Sequence, residues 1–157
     1  MNALSSEFTQ FLRAAKAATY AGQGDEASVT PALQDSKQLE HRAGAFLYRD
    51  IYVGLVQFVG QEIVYLNNRA IWSMSYSGGL IGKEQSASFK PVYAFLRQAL
   101  LSAPPEFPVR GPASLQAEQM LYTCTTEGSL EGFHGVERIT QSGSLVYELR
   151  FNGGSLA

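Results

Sequence analysis

The sequence has 157 residues and a formal net charge of −2, with 45% hydrophobic and 17% charged residues. This balance excludes extensive disorder and predicts one globular domain, residues 1–157, with a single core. Lys and Arg are not clustered, so the sequence does not predict direct nucleic-acid binding. Cys124 is the single cysteine, which excludes an internal disulfide. Because no secretory signal or membrane-spanning apolar run is found either, a cytoplasmic location is predicted.

Helical spacing of apolar residues comes first in the chain, between Ser5 and Thr19. Ser5 or Ser6 is expected to cap this helix, because a serine side chain accepts a hydrogen bond from a free backbone N–H. Residues 20–38 are rich in glycine and small polar residues, which predicts a long loop. A loop of this length in a small domain is either mobile or functional.

Residues 39–76 have the pattern of β-strands, rich in Tyr, Phe, Val and Ile. The predicted strands are Gly44–Tyr48, Ile51–Val59, Glu62–Leu66 and Ala70–Tyr76. Asn67-Asn68-Arg69 joins the last two as a hairpin, because asparagine tolerates the left-handed backbone conformation of a tight turn. Gly78-Gly79 is predicted to end this meander.

A second helix is predicted over Phe89–Leu101, with Ser88 as its cap and Pro91 in the first turn. Four prolines between residues 104 and 112 predict a stiff connector. Three further strands are predicted at Met120–Thr126, Leu130–Ile139 and Leu145–Asn152. Their turns are predicted at Glu127-Gly128-Ser129 and Ser142-Gly143.

Two segments of the sequence align without a gap when one is shifted by 75 positions. Phe58–Glu62 and Phe133–Glu137 share the pattern F-x-G-x-E, and each is followed by a strand that ends in Gly-Gly. The alignment predicts an α+β fold of two internally duplicated units, residues 5–79 and 86–154, each a helix followed by an antiparallel meander. Both helices are expected on one face of the combined sheet, with a groove where the halves meet. The alternative is that any two amphipathic hairpins look alike.

Glu62 and Glu137 occupy equivalent positions in the two predicted units. If they face each other across the groove, their pKa values separate, which suits acid–base chemistry or cation binding. The alternative, which the sequence favours, is that each is a solvated residue on a strand or at a hairpin edge.

Aromatic and cationic residues supply the other candidates for a ligand-binding site. Trp72 and Tyr76 share one face of a predicted strand, and they either belong to the core or line a site for a flat or cationic ligand. Tyr48 is expected at a polar rim with Tyr52, on adjacent strands around the two charged residues between them. Arg110, on the stiff connector, is either an anion contact or part of a structural salt bridge.

The sequence contains no complete catalytic or metal-binding motif. His41 and His134 lack the spacing of metal ligands, so no metal site is predicted. Gly22–Ala27 and Gly78–Glu84 imitate nucleotide-binding loops without the required structural context or magnesium ligand, so no cofactor is predicted. Cys124 alternates with Tyr and Met along its predicted strand, which favours a buried structural cysteine over a nucleophile.

Five short runs carry a resemblance to a known family: Ala15–Ala21, Phe46–Asp50, Ile71–Tyr76, Arg110–Pro112 and Tyr147–Gly154. They resemble an uncharacterised bacterial domain family of unknown function, found alone and as the C-terminal part of XRE-type helix-turn-helix regulators. Trp-x-Met-x-Tyr and Arg-Gly-Pro are its most specific elements. The resemblance implies a sensor-like or partner-binding role and transfers no catalytic residue.

Three functions are compatible with these observations. The leading interpretation is a non-catalytic module that binds a small ligand or a protein partner, as a monomer or a homodimer. The second is a small enzyme that uses Glu62 and Glu137, or one of them with Tyr76 or His134, in a central cleft. The third is a structural or regulatory homo-oligomer that acts through a sheet edge or an apolar patch.

Overall fold

A computed structural model of the chain describes residues 5–22, 28–82 and 89–156. The two helices are α1 (Ser6–Ala18) and α2 (Phe89–Leu101). The strands are β1 (Lys37–Ala43), β2 (Phe46–Gly54), β3 (Gln57–Leu66), β4 (Arg69–Leu80), β5 (Ser114–Ala117), β6 (Met120–Ser129), β7 (Gly132–Gln141) and β8 (Ser144–Ser155). Within the described residues, neither helix is long and apolar enough to span a membrane.

The eight strands of the described residues form one open antiparallel sheet, in the order β1-β2-β3-β4-β8-β7-β6-β5. The first four and the last four strands are each a meander, and β4 pairs with β8 to join them. Apolar residues of both helices and of one sheet face form the core. The protein is therefore mostly β, which agrees broadly with the predicted α+β class.

Helix α1 begins where the sequence predicts because Ser5 caps it, with the Phe8 amide donating to Ser5 Oγ at 3.2 Å. The apolar stripe of α1 is buried: Phe8, Phe11, Leu12 and Ala15. Helix α2 has the predicted bounds, and the proposed cap, Ser88, lies outside the described residues. Amphipathic spacing therefore locates both helices.

The predicted break between Tyr48 and Ile51 is wrong, because β2 runs unbroken through Phe46–Gly54. Tyr48 and Tyr52 consequently lie on one strand rather than on two. The charged residues between them do not interrupt the strand because both have partners. Arg49 Nε donates to Glu40 at 2.7 Å on one face, and Asp50 accepts from Tyr76 on the other. The chain instead turns on either side of β2: at Gly44-Ala45, where the φ of Gly44 is +57°, and at Leu55-Val56, which interrupts the predicted strand Ile51–Val59.

The second meander also departs from the prediction at its turns. Glu127-Gly128-Ser129 continues β6, and the chain turns afterwards, at Leu130-Glu131. Gly128 has φ +101° and lies so close to the Gly132 carbonyl that a Cβ would overlap it. This glycine therefore allows β6 and β7 to approach each other closely and does not form a turn. Gly78-Gly79 likewise belongs to β4, which continues to Leu80. The sequence pattern does not predict β5, which has only four residues.

Two predicted hairpin turns are confirmed. Asn67 and Asn68 have φ of 51° and 65°, and Ser142 and Gly143 have φ of 49° and 81°. Both pairs adopt the left-handed conformation that two-residue hairpin turns require.

Backbone details of the two meanders match at the offset of 75 residues. The β3–β4 and β7–β8 pairs shift register directly after Val64 and Ile139, respectively. The amides of Leu80 and Ser155 donate to carbonyls of the equivalent turns at 2.9 and 3.1 Å. The two meanders therefore share both register and turn contacts.

Candidate functional site

A cavity of about 510 Å³ lies between the two helices and the sheet face that they cover. Strands β2, β3 and β4 form its floor, and α1, α2 and the connector before β5 supply its walls. The aromatic lining consists of Tyr20, Tyr48, Tyr52, Phe58, Tyr76 and Tyr93. The charged lining consists of five cations and two carboxylates: Lys16, Lys37, Lys90, Arg97, Arg110, Asp50 and Glu62.

Strand alternation and one helix contact give the cavity its shape. Tyr48, Asp50 and Tyr52 occupy every second position of β2, so all three side chains reach the covered face. On the opposite wall, the Tyr93 hydroxyl donates to the Leu55 carbonyl at 2.8 Å. This bond fixes α2 to the turn between β2 and β3.

Asp50 and Glu62 form a pair of buried carboxylates on the cavity floor. They are directly opposite each other across β2 and β3, and only 4% and 3% of their surfaces are exposed. The Tyr76 hydroxyl donates to Asp50 Oδ1 at 2.6 Å. Gly60 makes room for that ring, because a Cβ there would lie 2.5 Å from Tyr76 Cζ. The glycine of the F-x-G-x-E motif thus lets an aromatic ring reach the buried carboxylate.

Lys16, near the end of α1, is the cation that holds Glu62. Its Nζ lies 2.9 Å from Oε1 and 2.7 Å from Oε2, and it also donates to the Val109 carbonyl at 2.7 Å. Only the Oε1 contact has hydrogen-bond geometry, so buried Oε2 has a charge partner but no hydrogen bond within the described residues. Burial lowers the pKa of Lys16, although the Glu62 carboxylate opposes that shift.

Burial, and then the neighbouring Glu62 carboxylate, raise the pKa of Asp50 from its ordinary value of 3.8 to about 7. A hydrogen bond from Tyr76 and two nearby cations oppose the shift. At neutral pH Asp50 therefore carries a proton for part of the time. Burial also raises the pKa of Tyr48 and of Tyr76, so both phenols stay protonated.

The raised pKa of Asp50 makes the folded chain less stable as the pH rises. The folded state keeps the Asp50 proton up to about pH 7, whereas an unfolded aspartate releases it near pH 3.8. This contribution to stability is therefore complete below pH 3.8 and is lost as the pH rises through about 7. We expect a loss of roughly 4 kcal/mol over this range that Asp50→Asn abolishes, measured by urea unfolding at a series of pH values.

Asp35→Asn is the matched control for this experiment, because Asp35 is exposed and does not line the cavity. This variant should keep the wild-type dependence of unfolding free energy on pH. Parallel profiles for wild type and Asp50→Asn would show that the titrating proton belongs to another group.

Glu137 is fully buried and does not line the cavity. Arg110 binds it through Nη2 and through Nε, the latter at 3.0 Å, and Tyr122 and Tyr147 each donate a hydroxyl at 2.7 Å. Burial alone would raise the pKa of Glu137, but the Arg110 charge and these hydrogen bonds outweigh it and hold the pKa below 4.5. Arg110 also faces the cavity, with its guanidinium carbon 5.9 Å from the centre of the Tyr76 ring.

A family model described as Domain of unknown function (DUF5680) matches residues 50–156. The chain belongs to this family. No curated protein and no solved structure matches the chain. The DUF5680 match covers α2 and strands β3–β8 but leaves out α1 and β1, so Lys16 and Tyr48 of the cavity precede it.

Four of the six site residues predicted from sequence line the cavity of this DUF5680 chain: Tyr48, Glu62, Tyr76 and Arg110. Trp72 and Glu137 do not line it. Trp72 is fully buried in the core, where its Nε1 donates to the Leu130 carbonyl at 3.0 Å and its ring stacks on Phe133. The indole is therefore a packing residue between the two meanders.

The two glutamates belong to separate clusters, one held by Lys16 and the other by Arg110. The carboxylate opposite Glu62 across the strands is Asp50. The predicted solvated position of Glu62 and of Glu137 is wrong, because both lie on the buried face with the phenylalanine and glycine of their motif. His134 is largely exposed, with Nε2 3.7 Å from Glu127 Oε2.

Sequence reasoning missed Asp50 and the cations of the cavity wall. Asp50 is two positions from Tyr48 and two from Tyr52, so an unbroken strand would have placed all three on one face. Lys90 and Arg97 of the DUF5680 region are seven residues apart, which puts them on one face of α2. Both signals are present in the sequence.

The remaining motif candidates do not join the cavity. Cys124 is half-buried, with Sγ 3.7 Å from Thr126 Oγ1, and burial followed by the Glu137 charge raises the pKa of its thiol. Residues 23–27 and 83–84 of the two glycine-rich segments lie outside the described residues. In the described part of the chain, no cluster of three His, Cys, Asp or Glu residues can hold a metal ion.

Proposed function

We propose that the chain is a non-catalytic module that binds a small molecule in the cavity between its helices and its sheet. The observation that carries the proposal is a cavity of about 510 Å³ whose walls are mainly apolar, with six aromatic rings and a set of convergent charged groups. Small-molecule sites in proteins have this size and this character.

Most polar groups of the floor are already bonded to one another, which favours recognition over catalysis. Glu62 is held by Lys16, and Asp50 accepts from Tyr76. Arg110 is held by buried Glu137. Groups fixed in this way present a defined surface to a ligand and need little reorganisation on binding.

We also infer that residues 5–79 and 86–154 are two copies of one unit. The matching registers and turn contacts support this inference. By strand pairing, Cys124 stands where the first half has Asp50, and Phe151 stands where it has Tyr76. On this account, the first copy has a polar cavity floor with Asp50 and Tyr76, which the second copy lacks. Glu137 remains in the second copy, and Arg110 neutralises its charge.

The resemblance to domains fused to XRE-type regulators supports a sensor-like role, in which ligand binding in the cavity changes how the chain interacts with a protein partner. A bacterial origin and a cytoplasmic location belong to this proposal. In that setting the ligand would be a small intracellular metabolite.

Native mass spectrometry of the purified chain tests the binding proposal. We expect an added mass of roughly a few hundred daltons, the size of molecule that such a cavity holds. Ala94→Trp, at an exposed alanine in the cavity wall, should remove the added mass. Ala14→Trp, on the exposed side of α1, should keep it. A bare wild-type chain, or an added mass that persists in Ala94→Trp, would contradict the proposal, and the same spectra report monomer or homodimer.

One observation favours a second candidate, a small acid–base enzyme. Asp50 has a pKa of about 7 and lies beside Tyr76 in the cavity, as a general acid or base would. In the same spectra, Asp50→Asn should then carry a ligand of different mass, because substrate accumulates in place of product. Equal ligand masses in wild type and Asp50→Asn would contradict an enzyme whose substrate and product differ in mass.

A further inference from the structure

We propose that the ligand is an organic anion with an aromatic body, bound with its anionic group at Lys37, Lys90 and Arg97 and its body towards the floor. This proposal rests on the proposed binding function and adds to it the chemical class of the ligand and its orientation in the cavity.

Positive charge predominates in the cavity, although the whole chain has a net charge of −2. Five cations line the cavity against two carboxylates. Lys16 is bonded to Glu62, and Arg110 is bonded to Glu137. The other lining cations are Lys37, Lys90 and Arg97. A cavity of this composition attracts anions.

The three other lining cations define what we call the outer end of the cavity; among them, Arg97 is half-buried, with its guanidinium carbon 6.0 Å from the centre of the Tyr20 ring. Lys37 and Lys90 are exposed, and neither side chain forms an ion pair or a hydrogen bond with another described residue. Lys90 and Arg97 are two turns apart on α2, with the small side chain of Ala94 between them. Lys37 approaches from β1, where it is opposite Tyr52. An anionic group at this end would meet cations from both a helix and a strand.

The inner end of the cavity disfavours an anion. Asp50 and Glu62 are there, and both are almost completely buried. The inner cations Lys16 and Arg110 are already paired with Glu62 and Glu137, so they offer a ligand carboxylate no uncompensated positive charge. Because charges interact more strongly away from water, a ligand carboxylate beside Asp50 and Glu62 would be repelled. The gradient from outer cations to inner carboxylates therefore fixes the direction of the ligand.

Aromatic rings occupy the space between these two ends. The centre of the Phe58 ring lies 6.0 Å from that of Tyr76 and 6.1 Å from that of Tyr93, both edge-on. The Tyr20 ring has an edge-on contact with Tyr52 at 6.3 Å. Rings at these angles offer faces and edges to a flat apolar body.

Four naphthalene probes of similar size test the proposal by isothermal titration calorimetry: 2-naphthoate, 2-naphthyl phosphate, neutral 2-naphthamide and the cation 2-naphthylmethylammonium. We expect naphthoate or naphthyl phosphate to bind at least about tenfold more tightly than naphthamide, and the cation to bind most weakly. The tighter of the two anions identifies the head group. Added salt should reduce the preference, because exposed cations are screened.

Neutralising the outer cations should remove the preference for anions. We expect Lys37→Gln with Lys90→Gln to weaken binding of the preferred anion about tenfold and to leave naphthamide unchanged. Arg13→Gln with Arg69→Gln removes the same amount of exposed charge away from the cavity and should change neither affinity.

The outcomes separate the anion preference from the binding role. If naphthamide or the cation binds as tightly as the anions, and Ala94→Trp abolishes binding, the cavity is a ligand site but the anion preference is wrong. If no probe binds while native mass spectrometry still shows an added mass that Ala94→Trp removes, the cavity is a ligand site but the aromatic-anion class is wrong. If no probe binds and the chain is bare, or if binding survives Ala94→Trp, both the binding role and the anion preference are overturned.

Discussion

Arg110→Met is expected to lower the free energy of unfolding by about 3–5 kcal/mol, because it leaves a buried carboxylate without its cation. Glu137 is 0% exposed, and water that entered from the cavity in place of the guanidinium would supply no positive charge. Two tyrosine hydroxyls would remain as its partners and would not supply positive charge. Urea unfolding monitored by circular dichroism measures the loss.

Arg150→Met is the matched control, because Arg150 is largely exposed and its Nη2 lies 3.3 Å from Glu148. An exposed pair of this kind contributes less than about 1 kcal/mol. A similar change for Arg110→Met would show that the buried pair does not stabilise the chain. In the double variant with Glu137→Gln, the loss should be smaller than the sum of the single losses, because glutamine leaves no buried charge; its oxygen can accept from one tyrosine hydroxyl and its NH2 can donate to the other.

The Arg110–Glu137 pair also has a predictable dependence on pH. Since the folded pKa of Glu137 lies below 4.5, its contribution is present above that value and is lost as the pH falls through the folded pKa. The difference in stability between wild type and Arg110→Met should therefore shrink in acid.

Gly78→Ala is expected to lower the free energy of unfolding by about 3 kcal/mol, because the added methyl has no space. A Cβ at Gly78 would overlap the Glu148 carbonyl oxygen and lie 2.5 Å from Leu149 Cα. These atoms belong to the backbone of β8, so they cannot move without separating the two central strands. A fall in melting temperature of about 6–12 °C would accompany this loss in a chain of this size.

Gly132→Ala is the control for steric overlap, because a Cβ at Gly132 meets no atom within 4 Å. This strand glycine should accept alanine with little change in melting temperature. Equal melting temperatures for Gly78→Ala and Gly132→Ala would mean that the β4–β8 contact is looser than the structure has it.

The helices are the part of the fold that the sequence predicts well, because capping and amphipathic spacing are local. Ser5 identifies the start of α1 without knowledge of any distant residue. The error within β2 has the opposite cause. Arg49 and Asp50 look like a break in a strand until their partners are known, and Tyr76 is 26 residues away from Asp50. Burial of polar residues depends on such distant partners.

The candidate site is predictable only in part for the same reason. Trp72 and Tyr76 are four residues apart on one face of β4. Nothing in the sequence indicates that Trp72 packs in the core whereas Tyr76 lines the cavity. That difference arises from where the helices lie. Similarly, Glu62 is marked by its repeated motif, but its cation Lys16 is 46 residues away on α1.

Arg110 has one side towards the cavity and the other bonded to Glu137. A charge that enters the cavity changes the field at this guanidinium, and so changes its attraction to Glu137, without any movement of the backbone. Tyr122 and Tyr147 connect that carboxylate to β6 and β8. If the cavity binds a charged ligand as proposed, its occupancy and the stability of the second meander are thermodynamically coupled. The coupling would be reciprocal, so a partner that held the second meander in place would also alter the affinity of the cavity for that ligand.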